Sequence, residues 1–464
     1  MNQNTILTNL EKYIKRNPLS FHTPGHKNGE VIPDSLKAVW SKVWKYDLTE
    51  IEGLDNLHHP IGCIQEAQTK TALLCGAKSS FFLVNGSSGG IHASLLALAY
   101  NQEILVPRYV HKSIYSGMVL ADSHPIYLPP VYEKNLSLPI GIETGILQKY
   151  ITENPQCKVI IIPNPTYQGF SYKMAELIAT AKKSGLQVIV DEAHGSHFFL
   201  DDRLPPSALD LGADVVIQSW HKTLPVLTQA SVLHISKDYQ GPDISEFIRL
   251  LQTTSPSYLL MVSIEACTMF LADKGRELLA QAITNIEVFK KKTKNLKNML
   301  IISHLDNVLI DPLKICIYSE SHSGYLMAEL LKKKYNIYAE LAEESYCLLA
   351  AGINITPELL DRLAKALEDI DRIETRGISR KTSSREAQYL PTRAMSLRNA
   401  FFEKKERVNL EEALGRICGD YLTKYPPGIP LLVPGEAIDQ EAIRLLEKDL
   451  IGYNVQGGIT VVRE

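Results

Sequence analysis

Short apolar runs alternate with helical segments from about residue 66 onward. Val, Ile and Leu dominate five such runs, at positions 104–106, 159–162, 188–190, 215–217 and 232–235. Residues 174–184 predict one of the connecting helices, which Gly185 ends before the next run. Continuous apolar strands separated by helices are typical of a parallel sheet buried on both faces. The pattern therefore predicts an α/β, doubly wound core.

Other patterns lie on both sides of this core. Ile6, Leu10 and Ile14, four residues apart, predict an N-terminal helix that Pro18 ends. A Lys-rich helix near 275–300 leads to a smaller α/β unit, with strands near 307–310, 315–318 and 337–340 and a helix over 325–333. The polar stretch 375–392 is typical of a linker. We therefore predict an N-terminal arm (1–50), a large domain (51–285), a small α/β domain (286–374) and a C-terminal domain with its linker (375–464).

Composition narrows the class of protein. The 464 residues carry 49 Lys plus Arg and 52 Asp plus Glu, a net charge of −3, which argues against a strongly basic nucleic-acid binder. The longest apolar runs are far below the ~20 residues of a membrane span, and the N-terminus has no apolar signal segment. Seven scattered cysteines without a C-x-x-C pair indicate buried, reduced thiols in a cytoplasmic protein. His22 and His26 are separated by the helix breakers Pro24 and Gly25, so no metal site is predicted.

Three motifs follow apolar runs and carry candidate chemistry. Residues 85–90, NGSSGG, place small residues before a helix, which suits either a phosphate or a plain tight turn. Asp191 ends one predicted strand, where it is either a ligand group or a helix cap. Lys222 follows another strand within QSWHK, and is either a covalent lysine or a surface lysine. An anion cradle, an acidic group and an amine are together the parts that pyridoxal 5'-phosphate (PLP) requires.

The motifs resemble those of the Orn/Lys/Arg decarboxylase family. The resemblance is carried by HTPGHK (22–27), DLTEIEGLDNLHHP (47–60), NGSSGG (85–90), RYVHKS (108–113), NPTYQG (164–169), DEAHG (191–195), SWHK (219–222), QAS (229–231), TTSPSY (253–258) and YPPGIPLLVPGE (425–436). It implies PLP fold type I, the aspartate aminotransferase-like fold, with a mostly parallel sheet in the large domain and smaller α/β C-terminal domains. The chain resembles the short members, because it has no room for their longer relatives' N-terminal receiver-like domain.

The resemblance also implies a role for each matching residue. Lys222 would bind PLP covalently, Asp191 would hold the pyridine nitrogen protonated, and His111 would stack on the ring. His194 would lie beside the ring. The residues expected to bind or flank the phosphate are Ser87, Ser88, Ser219 and His221. Thr253 would reach the phosphate of the neighbouring subunit, which implies a homodimer or higher even oligomer with shared sites.

The implied reaction is decarboxylation of a basic amino acid, as in polyamine metabolism. Arginine is the preferred substrate, followed by lysine or ornithine, and His221 or Lys222 is expected to return the proton to Cα. An aminotransferase, another PLP lyase of the same fold, or a non-catalytic regulatory homologue are the alternatives. The substrate's distal cation needs a carboxylate partner. Glu436, presented after Pro434-Gly435, is either that partner or the cap of a helix starting near Ile438.

Overall fold

The computed structural model describes residues 4–40, 42–133, 138–373, 389–450 and 452–463. The α-helices in these residues are α1 (Ile6–Lys15), α2 (Asp34–Trp40), α3 (Cys63–Cys75), α4 (Gly86–Leu98), α5 (Lys112–Ala121), α6 (Thr144–Glu153), α7 (Met174–Lys183), α8 (Trp220–Thr223), α9 (Ile244–Leu251), α10 (Tyr258–Phe270), α11 (Arg276–Lys292), α12 (Gly324–Tyr335), α13 (Pro357–Asp371), α14 (Leu397–Phe402) and α15 (Gln440–Lys448). The strands are β1 (Ser79–Leu83), β2 (Glu103–Pro107), β3 (His124–Leu128), β4 (Val131–Tyr132), β5 (Pro139–Gly141), β6 (Val159–Pro163), β7 (Phe170–Tyr172), β8 (Gln187–Asp191), β9 (Val215–Gln218), β10 (Ser231–Ile235), β11 (Met299–Ile301), β12 (Val308–Ile310), β13 (Lys314–Ser319), β14 (Leu341–Ala342), β15 (Tyr346–Ala350), β16 (Lys405–Val408), β17 (Leu422–Thr423), β18 (Pro430–Leu432) and β19 (Ile459–Val462). Most of the segment predicted as a linker, 375–392, lies outside the described residues.

A seven-stranded sheet forms the centre of the fold, in the order β1-β10-β9-β8-β6-β2-β3. Its strands from β9 to β3 are parallel, which confirms the mostly parallel sheet predicted from the sequence. The expectation that residues 232–235 belong to a parallel strand is wrong, because β10 is antiparallel to both β9 and β1. The connection from β9 to β10 covers residues 219–230 and contains only the one-turn helix α8, too little for the helical crossover that parallel neighbours need.

Alternate residues of the central strands pack on opposite faces of this sheet. Val188 and Val190 of β8 belong to the apolar cluster formed with α6 and α7, whereas Ile189 belongs to the cluster formed with α4 and α5. Both faces are therefore covered by helices, as predicted. The edge where the parallel strands end is the part of the sheet left open for a ligand.

The N-terminal helix docks on the core through a long-range contact. Ile6 and Leu10 of α1 are fully buried, and Thr5 caps the helix by accepting the N–H of Thr8. The carboxylate of Glu265 in α10 accepts the N–H of Ile6 at 2.9 Å, which satisfies one of the free donors of the first turn. The predicted amphipathic helix is thus present, and ends at Lys15, before Pro18.

A second, antiparallel sheet has the order β11-β13-β15-β14, with α12 packed against it and α13 packed against α11 and α12. Two expectations about this unit are wrong. The strand predicted near 307–310 forms, as β12, but pairs with β7 next to the large sheet. The strand predicted near 337–340 begins only at Leu341, because the chain leaves α12 through Asn336 in the left-handed conformation (φ 55°) and must first turn back. The predicted domain boundaries at 50, 285 and 374 stay predictions.

The cysteines are all unpaired and buried, which agrees with the prediction of reduced thiols. Within the described ranges, no helix combines the length and apolarity that crossing a membrane would require.

His234 of β10 is a buried, neutral histidine that makes stability depend on pH. Its Nδ1 accepts from Ser80 Oγ at 2.7 Å and its Nε2 donates to Gln218 Oε1 at 3.1 Å. Burial lowers the pKa of His234 to about 3, while an unfolded histidine titrates near 6.5. The unfolded chain therefore binds a proton that the folded chain does not, so the stabilising contribution is present above pH 6.5 and is lost as the pH falls towards 3.

We expect His234→Asn to weaken the acid dependence of unfolding by up to about 1.4 kcal/mol per pH unit between pH 6.5 and 4. Urea unfolding at several pH values measures this slope, and His304→Asn, at an exposed position, is the matched control. An unchanged slope in His234→Asn would show that this histidine is not a source of acid lability.

Candidate active site

The parallel strands β6, β8 and β9 end at one edge of the large sheet, and a cavity opens there. Asn164 follows β6, Asp191 ends β8, and Lys222 lies on α8 just after β9. All three line the cavity, together with His111 and Ser87. Because carboxyl ends of parallel strands share one edge, residues far apart in the sequence meet at this point.

Lys222 presents its amine to this cavity. Its Nζ lies 3.1 Å from His194 Nε2. Burial lowers the pKa of Lys222, and the carboxylates of Asp191 and Glu340 oppose that shift. A lysine whose charge is disfavoured has more of its amine in the neutral, nucleophilic form.

Asp191 provides a carboxylate in the same cavity. It is 8% exposed, and its Oδ1 accepts the N–H of Ala193 at 3.2 Å. Burial raises the pKa of Asp191, whereas the positive charge of Lys222 and the Ala193 N–H favour the carboxylate. Such a group is suited to hold a protonated ring nitrogen.

His111 is a neutral imidazole on another wall of the cavity. It is the N-cap of α5, where its Nδ1 accepts the N–H of Ser113 at 3.2 Å. Burial lowers the pKa of His111 to about 4, with further contributions from Lys222 and Lys112. The ring therefore offers an uncharged flat face.

The C-terminal segment closes over His111. Gly428 has a positive φ of 82°, and a Cβ at this position would lie 2.8 Å from the His111 ring. The N–H of Lys112 donates to the Gly428 carbonyl at 2.9 Å. Pro427 and Ile429 line the cavity on each side of this glycine. The segment 425–436 thus forms part of the cavity wall, whose contact with His111 requires a glycine.

The N-terminus of α4 provides the anion-binding element. The helix begins at Gly86, and its N-cap Asn85 makes no side-chain capping bond, so the first-turn N–H groups remain available. Ser87 lines the cavity, and Ser219 Oγ donates to Ser87 Oγ at 2.7 Å. The structure thus brings together two of the residues predicted to bind phosphate.

Other predicted residues lie outside the lining of this cavity. Ser88 is in the first turn of α4, next to Ser87. His221 directs Nδ1 to the Ala230 carbonyl at 3.0 Å. Thr253 is exposed, and its carbonyl accepts from His58 Nε2 at 2.7 Å. The role of Thr253 in a neighbouring subunit stays a prediction.

Glu436 was predicted to bind the substrate's distal cation, but in the structure it binds Arg108. It is 1% exposed and accepts from Arg108 Nη2 at 2.9 Å and from the Val433 N–H at 2.8 Å. Burial alone would lower the pKa of Arg108, but the Glu436 carboxylate outweighs it and raises that pKa. We therefore withdraw the expectation that Glu436 receives the substrate's cation, because its charge is already neutralised. It is not a helix cap either, since α15 is capped by Asp439.

Sequence reasoning assigned no role to three residues of this region. Asn164 directly follows β6, so its strand-end position was a usable signal. Tyr167 lies in the same motif, with its ring centroid 4.6 Å from that of His194. Lys314 contacts His194 Nδ1 at 3.2 Å from the small sheet, and no local pattern in the sequence indicates this.

Asn164 also tests whether the cavity fits the group that the resemblance implies. Its Nδ2 is buried and has no hydrogen-bond partner among the residues that the structure describes. An unpaired buried donor is costly unless a ligand supplies an acceptor. Together with a helix N-terminus, a carboxylate and an amine, it fits PLP, an aromatic aldehyde with a phosphate and further ring acceptors.

Comparison with known proteins places these observations in a family context. The model of the Orn/Lys/Arg decarboxylase major domain matches residues 5–348, and that of the C-terminal domain of the same family matches residues 379–448. The chain is 35% identical to the uncharacterized protein YaaO of Bacillus subtilis (strain 168), over 97% of this chain and 95% of that protein. It is 34% identical to an arginine decarboxylase of Bacillus anthracis, over 97% of this chain and 94% of the relative.

A solved structure shows the same fold. The crystal structure of the Francisella novicida lysine decarboxylase LdcF superposes with a TM-score of 0.82 at 20% sequence identity, covering 99% of this chain and 81% of that one.

Proposed function

The chain belongs to the Orn/Lys/Arg decarboxylase family, and we propose that it uses PLP to decarboxylate arginine. The observation that carries the reaction is the meeting of Lys222, Asp191 and His111 in one cavity at the carboxyl edge of the sheet. Support for arginine comes from the relative named arginine decarboxylase, which is 34% identical over nearly the whole chain. The lysine decarboxylase of solved structure is 20% identical and supports the fold alone.

PLP, when bound, supplies a conjugated ring that accepts the electron pair left at Cα when CO₂ departs. The residues of the cavity would bind both the phosphate and the ring of PLP. Ser87, Ser219 and the first turn of α4 would bind the phosphate, and Asn164 Nδ2 would donate to a ring substituent.

The chain's own residues define what this site does with protons and charge. Lys222 offers an amine whose charge is disfavoured by burial, which suits covalent attachment. The Asp191 carboxylate would accept a hydrogen bond from the pyridine nitrogen of PLP and so keep that nitrogen protonated. His111, neutral at pH 7, gives a flat uncharged surface for an aromatic ring. Pro427 and Ile429 exclude water from the same side.

We propose that Glu340, in place of Glu436, receives the distal cation of the substrate. Its Oε1 accepts from the Tyr167 hydroxyl at 2.5 Å, and Tyr167 lines the cavity. Glu340 is exposed and close enough to raise the pKa of Lys222. It is therefore an exposed carboxylate whose position is fixed by Tyr167, a residue of the cavity lining.

Two further expectations remain part of the proposal. We propose a homodimer with shared sites, in which Thr253, exposed and outside the described cavity lining of its own subunit, would reach the phosphate bound by the neighbouring subunit. A cytoplasmic location is supported by the unpaired state of the cysteines.

A panel of arginine, lysine and ornithine, with CO₂ release as the readout, tests the substrate. We expect kcat/KM to be highest for arginine, by roughly tenfold or more.

Glu340→Gln is expected to raise KM for arginine roughly tenfold, equivalent to about 1.4 kcal/mol, with a smaller change in kcat. Glu343→Gln is the matched control, because Glu343 instead accepts from Tyr325 at 3.2 Å.

Each result of the panel bears on a different part of the proposal. Preference for lysine or ornithine would overturn arginine as the substrate. An unchanged KM in Glu340→Gln, with arginine still preferred, would remove only the role of Glu340.

A further inference from the structure

The imidazole of His194 lies between two lysine side chains. Its Nε2 is 3.1 Å from Lys222 Nζ and its Nδ1 is 3.2 Å from Lys314 Nζ. His194 is 8% and Lys314 is 5% exposed, whereas Lys222 is open to the cavity. The three side chains form a line that runs from the cavity to the start of β13 in the small sheet.

The backbone around Lys314 is shaped to admit this side chain. Gly169 has a positive φ of 89°, and a Cβ there would lie 2.7 Å from both Cβ and Cγ of Lys314. The Gly169 carbonyl accepts the N–H of Asp311 at 2.8 Å, which fixes the loop of Gly169 against the turn before Lys314. A side chain at position 169 would displace the lysine from His194.

Hydrogen-bond chemistry limits the protons that this line can hold. A neutral imidazole has one N–H and one lone pair. It can therefore accept from one lysine ammonium, and must donate to the other lysine, which is then a neutral amine. Both contacts are satisfied only when one of the two lysines is uncharged.

We propose that Lys314, acting through His194, takes up the proton that Lys222 must lose before its amine reacts with a carbonyl group. In this step the proton on Lys222 Nζ moves to His194 Nε2, while the proton on His194 Nδ1 moves to Lys314 Nζ. Two N–H bonds break and two form, and no water or outside base takes part. Lys314 is a positioning residue, because it acts on Lys222 through the imidazole and does not line the cavity.

The charged groups around the line are consistent with a shared proton. The carboxylates of Asp191 and Glu340 raise the pKa of Lys222. Those of Asp311 and Glu340 raise the pKa of Lys314. His111 and His221 lie near His194 in addition to the two lysines. Burial is the largest cause that lowers the pKa of each of the three groups, His194, Lys222 and Lys314. Together they therefore bind fewer protons than the same three groups would bind in water.

The test follows the reaction of Lys222 with added PLP in cofactor-free protein between pH 6 and 10. Absorbance gives the rate, and borohydride trapping with mass spectrometry identifies the modified lysine. Lys314→Met removes the proton acceptor, and we expect the midpoint of the pH profile to rise by about one unit, a tenfold loss of neutral amine. Lys314→Arg stays charged and donates to His194 Nδ1, so we expect its midpoint to lie at or below that of the wild type.

Lys332→Met is the control, because Lys332 is an exposed lysine of α12 that faces the Tyr338 ring, 5.5 Å from its centroid. We expect its midpoint to stay at the wild-type value. A Lys314→Met midpoint equal to that of this control, or a rise in both Lys314 variants, would overturn the proposal.

A second measurement tests the role of Lys314 even if Lys314→Met does not fold. In protein labelled with ¹⁵N-histidine, the signal of His194 is assigned by its loss in His194→Gln. In Lys314→Arg we expect the His194 proton on Nε2, and a proton found on Nδ1 would refute the role of Lys314. The proposal rests on Lys222 as the residue that binds PLP but not on the identity of the amino-acid substrate, so its failure leaves the arginine proposal intact.

Discussion

Lys222→Ala is expected to lower kcat/KM for decarboxylation by at least about 10³-fold. The variant loses the only amine that the described cavity lining presents. We also expect purified wild-type protein to be yellow, and the variant to lose this absorption band after dialysis. Lys237→Ala, at an exposed position after β10, is the control and should retain both activity and colour.

A borohydride-trapped adduct that persists in Lys222→Ala would contradict the assignment of this lysine.

The same variant also tests whether the active sites are shared between subunits. Mixing Lys222→Ala with Thr253→Ala subunits should create one intact site per mixed dimer, and so recover activity above that of either variant alone. No recovery after verified subunit exchange would argue against Thr253 as a residue of the neighbouring site.

Glu436→Gln is expected to destabilise the fold by roughly 3–5 kcal/mol, with KM for the substrate nearly unchanged. The substitution leaves the buried Arg108 guanidinium without its counter-charge. Arg108 would keep only neutral acceptors, which are the Tyr115 hydroxyl at 2.8 Å and the carbonyls of Pro430 at 3.0 Å and Leu431 at 2.8 Å. Chemical denaturation measures the loss of stability.

Two comparisons isolate the buried ion pair. The double variant Arg108→Met with Glu436→Leu should be more stable than either single variant, because it leaves no buried charge unpaired. Glu329→Gln breaks the exposed pair with Lys333 and should change stability by less than about 1 kcal/mol. If Glu436→Gln instead kept its stability and raised KM, the cation-binding role that we withdrew would be restored.

The sequence allowed the central strands and the strand-end residues to be predicted because both depend on local patterns. Apolar runs of three or four residues mark β2, β6, β8 and β9; Asp191 directly follows one of them, and Lys222 lies five positions after another. The direction of β10 and the partner of β12 depend on loop length and on packing between distant segments, which no local pattern encodes.

The same distinction explains the errors at the candidate site. Glu436 was interpreted from its own neighbours, Pro434 and Gly435, whereas its environment is set by Arg108, 328 positions away. Lys314 reaches His194 only because Gly169 leaves room for its side chain. Such contacts become visible only when the complete fold is known.

The contact of Gly428 with His111 has a consequence for how the protein is made. Pro427 and Ile429, which cover the cavity, follow Lys222 by about 200 residues in the chain. At a ribosomal rate of about 5–20 residues per second, this part of the wall emerges roughly 10–40 s after the lysine. During that interval the cavity of a nascent chain lacks the part of its wall that contains Pro427 and Ile429. The cavity around Lys222 is therefore completed only near the end of synthesis.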